Sequence, residues 1–144
     1  MKDGVLHQPV DSRSRERVLE SLARVLGKDP CIDFAFVFGS FAEGRPFHDV
    51  DVGVRLLENC GDALPVADHA MAALEERLGA AAGFPVDLVV LNGRPATFLF
   101  HVYRGRVILA RNEARLTSEL EQTMRTYFDI APVLRHAARE AFGT

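Results

Sequence analysis

Cysteine is scarce in this chain. The two present, Cys31 and Cys60, fit neither a CxxC redox pair nor a zinc knuckle, and the expectation is that both are reduced and structural. Basic charge is not in excess either. Seventeen Lys and Arg stand against 20 Asp and Glu, a net charge of −3, which argues against a nucleic-acid coat or other direct nucleic-acid partner. A single nucleotide stays admissible, because a metal can neutralise its phosphates locally. No apolar run approaches the roughly 20 residues that cross a bilayer, and residues 1–7 lack the apolar core of a secretion signal. A cytoplasmic protein with no membrane partner is expected. Repeats, low-complexity tracts and linkers are also lacking. With 144 residues, 48% of them apolar, the chain is expected to form one domain, 1–144, around a single core.

What is present reads as alternating helices and strands. Ser12 or Ser14 can cap a helix to Leu26, with Val18, Leu19, Leu22, Val25 and Leu26 on one stripe and Gly27 as its stop. Ile32 to Phe38 reads as a central strand, with Ile32, Phe34, Phe36 and Phe38 on one face and Asp33, Ala35 and Val37 on the other. In Asp49 to Leu56 the valines and Leu56 face a core, while Asp49, Asp51, Gly53 and Arg55 face away. Asp62 is a candidate cap for a helix over Leu64–Leu78, with Val66, Ala70, Met71, Leu74 and Leu78 as its stripe and Gly79 and Gly83 bracketing its end. Phe84 to Leu91 is a third strand, Pro95 to Tyr103 a short helix, and Arg106 to Leu109 an edge strand. Asn112 caps a helical region with Leu116, Leu120, Met124, Tyr127 and Phe128 on its stripe, and Pro132 is expected to break or kink it before Phe142.

The chemistry gathers around Val37-Phe38-Gly39-Ser40 and the downstream Asp49-Val50-Asp51. Alternation puts Asp49 and Asp51 on one face, roughly 6.5 Å apart along the backbone. Two carboxylates repel by about 4 kcal/mol at 4 Å for an effective dielectric near 20, and a hard divalent cation is the usual partner that offsets this. Asp87 interrupts the apolar run Val86-Asp87-Leu88-Val89-Val90 and can join them if its strand lies beside the second. The bland reading of Asp87 is a buried acid paired with an arginine. Ser40 and Glu43 match a capping box, so a short helical turn with free N–H groups is expected to start at Ser40.

Gly39-Ser40, Asp49-Val50-Asp51 and Asp87 together resemble the nucleotidyltransferase superfamily that includes DNA polymerase beta, most closely its minimal branch, over roughly residues 32–91. The resemblance implies an α+β fold: a small mixed β-sheet flanked by helices, core about 30–110, with a helical C-terminal region about 112–142. It implies Mg²⁺-dependent transfer of a nucleoside monophosphate, AMP from ATP, to a hydroxyl of a partner protein. Asp49 and Asp51 would hold two Mg²⁺ ions, Asp87 would complete the one that activates the acceptor, and Gly39 and Ser40 would bind the phosphates. The partner implied is a HEPN-type toxin, this chain being its antitoxin, as part of a homo- or hetero-oligomer.

Two alternatives stay open. The loop from Ser40 to Asp49 is shorter than the family's usual one and ends in His48, which fits a fold that has lost catalysis and neutralises its partner by contact. A small-molecule nucleotidyltransferase is the other. Arg45 can reach a triphosphate or be a solvated loop residue, and His48 can order Asp49 or be a plain loop residue. His7, His69, His101 and His136 are scattered without ligand spacing. Arg104, Arg106 and Arg111 form a loose basic cluster that reads more readily as a solvated face than as a phosphate site.

Overall fold

The computed structural model describes residues 4–60 and 64–142, for 64–69 and 142 the helical backbone alone. The elements run α1 (Ser12–Leu26), β1 (Ile32–Phe38), α2 (Gly39–Ala42), β2 (Val50–Leu56), a 3₁₀ turn (Glu58–Cys60), α3 (Leu64–Ala82), β3 (Val86–Val90), α4 (Ala96–Tyr103), β4 (Arg106–Ala110) and α5 (Glu113–Phe142). The sheet order is β3-β2-β1-β4. β2 and β3 are parallel, joined through α3 as parallel neighbours require, and the other two pairings are antiparallel. The sheet is therefore mixed and flanked by helices on both faces, as expected.

Alternation along the central strands sorts the core into two layers. Ala35 and Val37 of β1 and Val50, Val52 and Val54 of β2 pack with Leu19, Leu22, Leu26, Leu74 and Leu78 of α1 and α3. Phe34, Phe36 and Phe38 face the other way, toward Leu99, Val102 and Tyr103 of α4 and Leu116 and Leu120 of α5. Ile32 departs from the expected face. The β1–β2 register shifts between Ile32 and Phe34, so the bulge turns Ile32 into the α1–α3 layer. At that bulge Asp33 is only 6% exposed and receives two hydrogen bonds from Arg115, at 2.8 and 3.0 Å.

Several boundaries differ from expectation. Asp11, not Ser12 or Ser14, caps α1, its carboxylate accepting the Ser14 N–H at 2.7 Å. α3 continues through Gly79 to Ala82, and Gly83 (φ 77°) terminates it. Of its expected stripe Leu74 and Leu78 are buried and Met71 partly so, whereas Ala70 is exposed; Asp62 and the side chain of Val66 lie outside the described residues. Asn112 caps α5 as expected, accepting the Arg115 N–H at 2.9 Å. Pro132 does not divide α5 into two elements. The residues beyond it are exposed and rich in Ala, Arg and Glu, whose own helix propensity carries the helix on despite the one missing N–H.

The cysteines are the clearest correction, because Cys31 and Cys60 form a disulfide. Their spacing matches no redox motif because the pairing is made by the hairpin. Leu57 N–H donates to the Cys31 carbonyl at the open end of β1–β2, and the 3₁₀ turn folds Cys60 back over it. The Cα atoms end 5.7 Å apart, within the range that a disulfide bridges. With a sequence separation of 29 residues, the cross-link is expected to contribute about 3–4 kcal/mol. Urea denaturation of Cys60→Ser should show that loss against oxidised wild type, and dithiothreitol should bring wild type down to the mutant while leaving the mutant unmoved.

Candidate active site

One end of the sheet collects the last residue of β1, the first residues of β2 and β3, and the start of β4. In the ladders Asp51 stands opposite Phe38 on one side and Asp87 on the other. Opposed residues of paired strands project to the same face, so both acids lie on the α4–α5 side, their backbones about 4.8 Å apart. Both are half-buried. Asp49 sits in the bend before β2, also half-buried; the strand opens at Val50, one residue later than its alternation implies.

Gly39 closes the site on the β1 side. Its φ of 79° is left-handed, and a Cβ built there would lie 2.2 Å from Asp51 Oδ2. The glycine thus serves twice, admitting the turn out of β1 and leaving the space that the Asp51 carboxylate occupies. Ser40 follows within α2, but not as its cap. Phe38 holds the cap position and no side chain caps the turn, so the expected capping box does not form. Glu43 instead pairs with Arg45, whose Nε donates to the Glu43 carboxylate at 3.0 Å; that bond holds the Glu43 carboxyl below its usual range, helped by the nearby charges of His101 and Arg104. Arg45 and His48 are exposed on the loop. The loop's anchors are apolar: Phe47 is buried against Phe41 and Phe84, and its backbone exchanges two hydrogen bonds with His7, at 2.7 and 3.0 Å.

Among the described residues no group of three or more His, Cys, Asp or Glu side chains stands close enough to cage a metal ion. The donor set nonetheless fits Mg²⁺, which is commonly held by one or two carboxylates with water and substrate phosphates completing its shell. Asp51 and Asp87 are two hard oxygen donors at one ladder position, beside a glycine that leaves the backbone bare.

The loose basic cluster separates into two roles. Arg111 is structural, donating to the carbonyls of Ile32, Gly27 and Asp29 at 2.7–2.9 Å. Arg104 and Arg106 line a cavity of about 140 Å³ together with His101 and Gly39. Sequence spacing marked the two arginines as a cluster but did not join His101 or Gly39 to them. The arginines come from the α4–β4 turn (Arg104) and the first residue of β4 (Arg106), and Gly105 brings that turn against β1: a Cβ there would meet the Val37 carbonyl at 2.3 Å. The buried acid–arginine pair of the sheet is likewise one that sequence reasoning missed, Asp33 with Arg115. The signal available was Asp33 itself, an acid within an otherwise apolar strand.

The Polymerase beta nucleotidyltransferase family matches residues 20–114, and the chain belongs to that family. No curated protein matches the chain. Among solved structures it is similar to a chain from the complex of tri-AMPylated Shewanella oneidensis HEPN toxin with MNT antitoxin, at 18% identity over 89% of this chain and 94% of the other, TM-score 0.59. It is also similar to a chain of a toxin–antitoxin structure with AMP-PNP (20% identity, 86% and 94% covered, TM-score 0.58) and of the toxin–antitoxin MntA-HepT (18%, 92% and 95%, 0.54). At these identities the likeness is one of fold.

If Gly39 is required for the Asp51 carboxylate, Gly39→Ala should cost more than Gly44→Ala. Both glycines have positive φ, but a Cβ at Gly44 meets only the flexible end of Arg15, at 3.4 Å. Gly44→Ala should lose about 1–2 kcal/mol, the cost of a left-handed non-glycine residue. Gly39→Ala should lose that and the displacement of Asp51 besides, as read by urea denaturation. Equal losses would mean that the carboxylate moves aside freely.

Proposed function

We propose that the chain is a nucleotidyltransferase that moves AMP from ATP to a hydroxyl of a partner protein of the HEPN toxin type, acting as its antitoxin. The observation that carries this reading is Asp51 opposite Asp87 with Gly39 bare against the Asp51 carboxylate. In the reaction the acceptor oxygen bonds to the α-phosphorus, the bond to the bridging oxygen breaks, and pyrophosphate leaves with the acceptor's proton passing to water or a carboxylate. Such displacement needs little covalent help; positioning and charge neutralisation supply most of the rate.

Gly39 lets the triphosphate approach the backbone, and the Ser40 hydroxyl donates to a phosphate oxygen. Asp49 and Asp51 would hold two Mg²⁺ ions and Asp87 the one beside the acceptor; bound there, the ions neutralise charge on the attacking and leaving oxygens. Asp87, at the outer strand of the sheet, would face the incoming hydroxyl. The complexes of MNT antitoxin with HEPN toxin, one of them AMPylated, support the choice of donor and acceptor. So does α5, which exposes Phe128, Val133 and Leu134 as a protein would for a partner. ATP as donor supports a cytoplasmic reading, against which the Cys31–Cys60 disulfide stands, and 1–144 is read as one domain.

A second reading is neutralisation by contact alone. It is favoured by the absence of a three-carboxylate cage among the described residues and by the position of Asp49 before the strand. Incubation of the chain and its co-expressed partner with labelled ATP and Mg²⁺ separates the two. Label should appear on the partner and fall by roughly 10²–10³ with Asp51→Asn, the usual loss for a group that stabilises the transition state. A stable complex that never acquires label would leave contact alone.

A further inference from the structure

We propose that His7 is a positioning residue for the acid site. Its ring, set against both Phe47 and Phe84, fixes the spacing of the two segments that deliver Asp49 and Asp87. The inference rests on the nucleotidyltransferase reading for what those acids do, but not for the packing that holds them.

Asp49 is the acid that the sheet itself holds least. The β2–β3 ladder begins at Val50 and Val86 and the β1–β2 ladder ends at Asp51, so Asp49 lies outside both. Its loop neighbours Arg45 and His48 are exposed. The nearest fixed point is Phe47, two residues earlier and 2% exposed. On the other strand Phe84 stands three residues before Asp87 and packs against the same α1–α3 core layer. The Phe47 and Phe84 rings meet edge-on at 5.1 Å, so the approach to β2 is registered against the approach to β3 through this pair.

His7 completes that contact from outside the sheet. Its ring centroid lies 5.3 Å from that of Phe47 and 5.2 Å from that of Phe84, and its Nε2 is shielded from solvent. Aromatic pairs at such separations contribute beyond the area they bury. Removing a ring that touches both partners leaves a gap that they close only by moving. The backbone delivers the ring to this place: His7 and Phe47 form an antiparallel bridge with hydrogen bonds of 2.7 and 3.0 Å. The segment behind it is anchored as well, since Val10 packs on the α1–α3 layer and Asp11 caps α1. Residues 7–11 thus form a strap from α1 to the approach of the acid site. A misplacement of about 1 Å at such a site costs on the order of a hundredfold in rate, so the strap can matter to the acids without touching them.

The test uses Mn²⁺ as a paramagnetic stand-in for Mg²⁺, titrated into the full chain and followed by electron paramagnetic resonance. Transfer of label from ATP to the co-expressed partner is measured beside it. His7→Ala keeps the backbone bridge and removes the ring. It should weaken Mn²⁺ roughly tenfold or more, the usual loss when a group supporting a metal ligand is removed, and lower kcat for transfer while KM for the partner holds. His7→Phe keeps a ring in the gap and should restore both. Val10→Ala loosens the same strap at its other end, so it should lower the urea midpoint and leave Mn²⁺ affinity unchanged. If His7→Ala does not fold, His7→Leu, apolar but without a flat ring, takes its place with the same outcomes. Undiminished Mn²⁺ affinity in His7→Ala, no restoration by His7→Phe, an equal loss in Val10→Ala, or a wild type that takes up no Mn²⁺ would each overturn the positioning role. Mn²⁺ affinity that depends on His7 in a chain that labels nothing would uphold the role and sink the transferase reading. Label transfer at full rate by His7→Ala would do the reverse.

Discussion

Two carboxylates held at one level of a parallel ladder are an expensive arrangement, and the fold is built to keep it. Asp51 and Asp87 face each other because β2 and β3 are in register from Val50–Val86 to Val54–Val90. That register cannot slip by one residue without turning Val50, Val52 and Val54 out of the α1–α3 layer, where all three are fully buried. The repulsion between the acids is thus opposed by the burial of the residues that alternate with them. Gly53, between Asp51 and Arg55 on the same face, tightens the join: a Cβ there would meet Leu91 at 2.8 Å, so the end of β3 packs directly on the β2 backbone.

Other charges of the sheet face are satisfied at its opposite end. Arg115 is bidentate to Asp33, Arg55 approaches Glu119 at 3.8 Å, and Tyr103 donates to the same Glu119 carboxylate at 3.3 Å. Burial and that carboxylate push the Tyr103 hydroxyl far above its ordinary pKa, so it stays a donor at any working pH. Arg111 ties the end of β4 to the α1–β1 connection through three carbonyls. Structural pairing thus ties the far end of the sheet to α5 and to the α1–β1 connection.

Periodicity in the sequence made most of this fold legible, since strict alternation in β2 and the stripes of α1 and α3 are dictated by burial on one side. It also placed Asp87 correctly on the face of Val89 and Leu91. It could not reveal the bulge at Asp33, because a register shift is a property of two strands and leaves no mark on the spacing of one. Helix caps misled for a related reason: Asp11, Ser12 and Ser14 all qualify locally, and the choice depends on how the chain enters the helix. The Ser40–Glu43 pattern failed because the turn starts earlier, with Phe38 in the cap position and Glu43 already past its end, where it pairs with Arg45. The disulfide and the Arg104–His101 cavity join residues far apart in sequence through tertiary contact alone. The family resemblance supplied Gly39 and the acids together; it carried no information about which arginines remain unpaired.

The place of α4 gives the molecule a functional direction. One side of this short helix presents His101, and the turn after it Arg104, to the cavity beside Gly39. The preceding residue, Phe100, about 100° away around the helix, stacks on Tyr127 of α5 at 3.9 Å and lies 6.1 Å from the exposed Phe128. Phe100 is thus shared: the Arg104 guanidinium lies 5.9 Å from its ring centroid, and Tyr127 of α5 stacks on it.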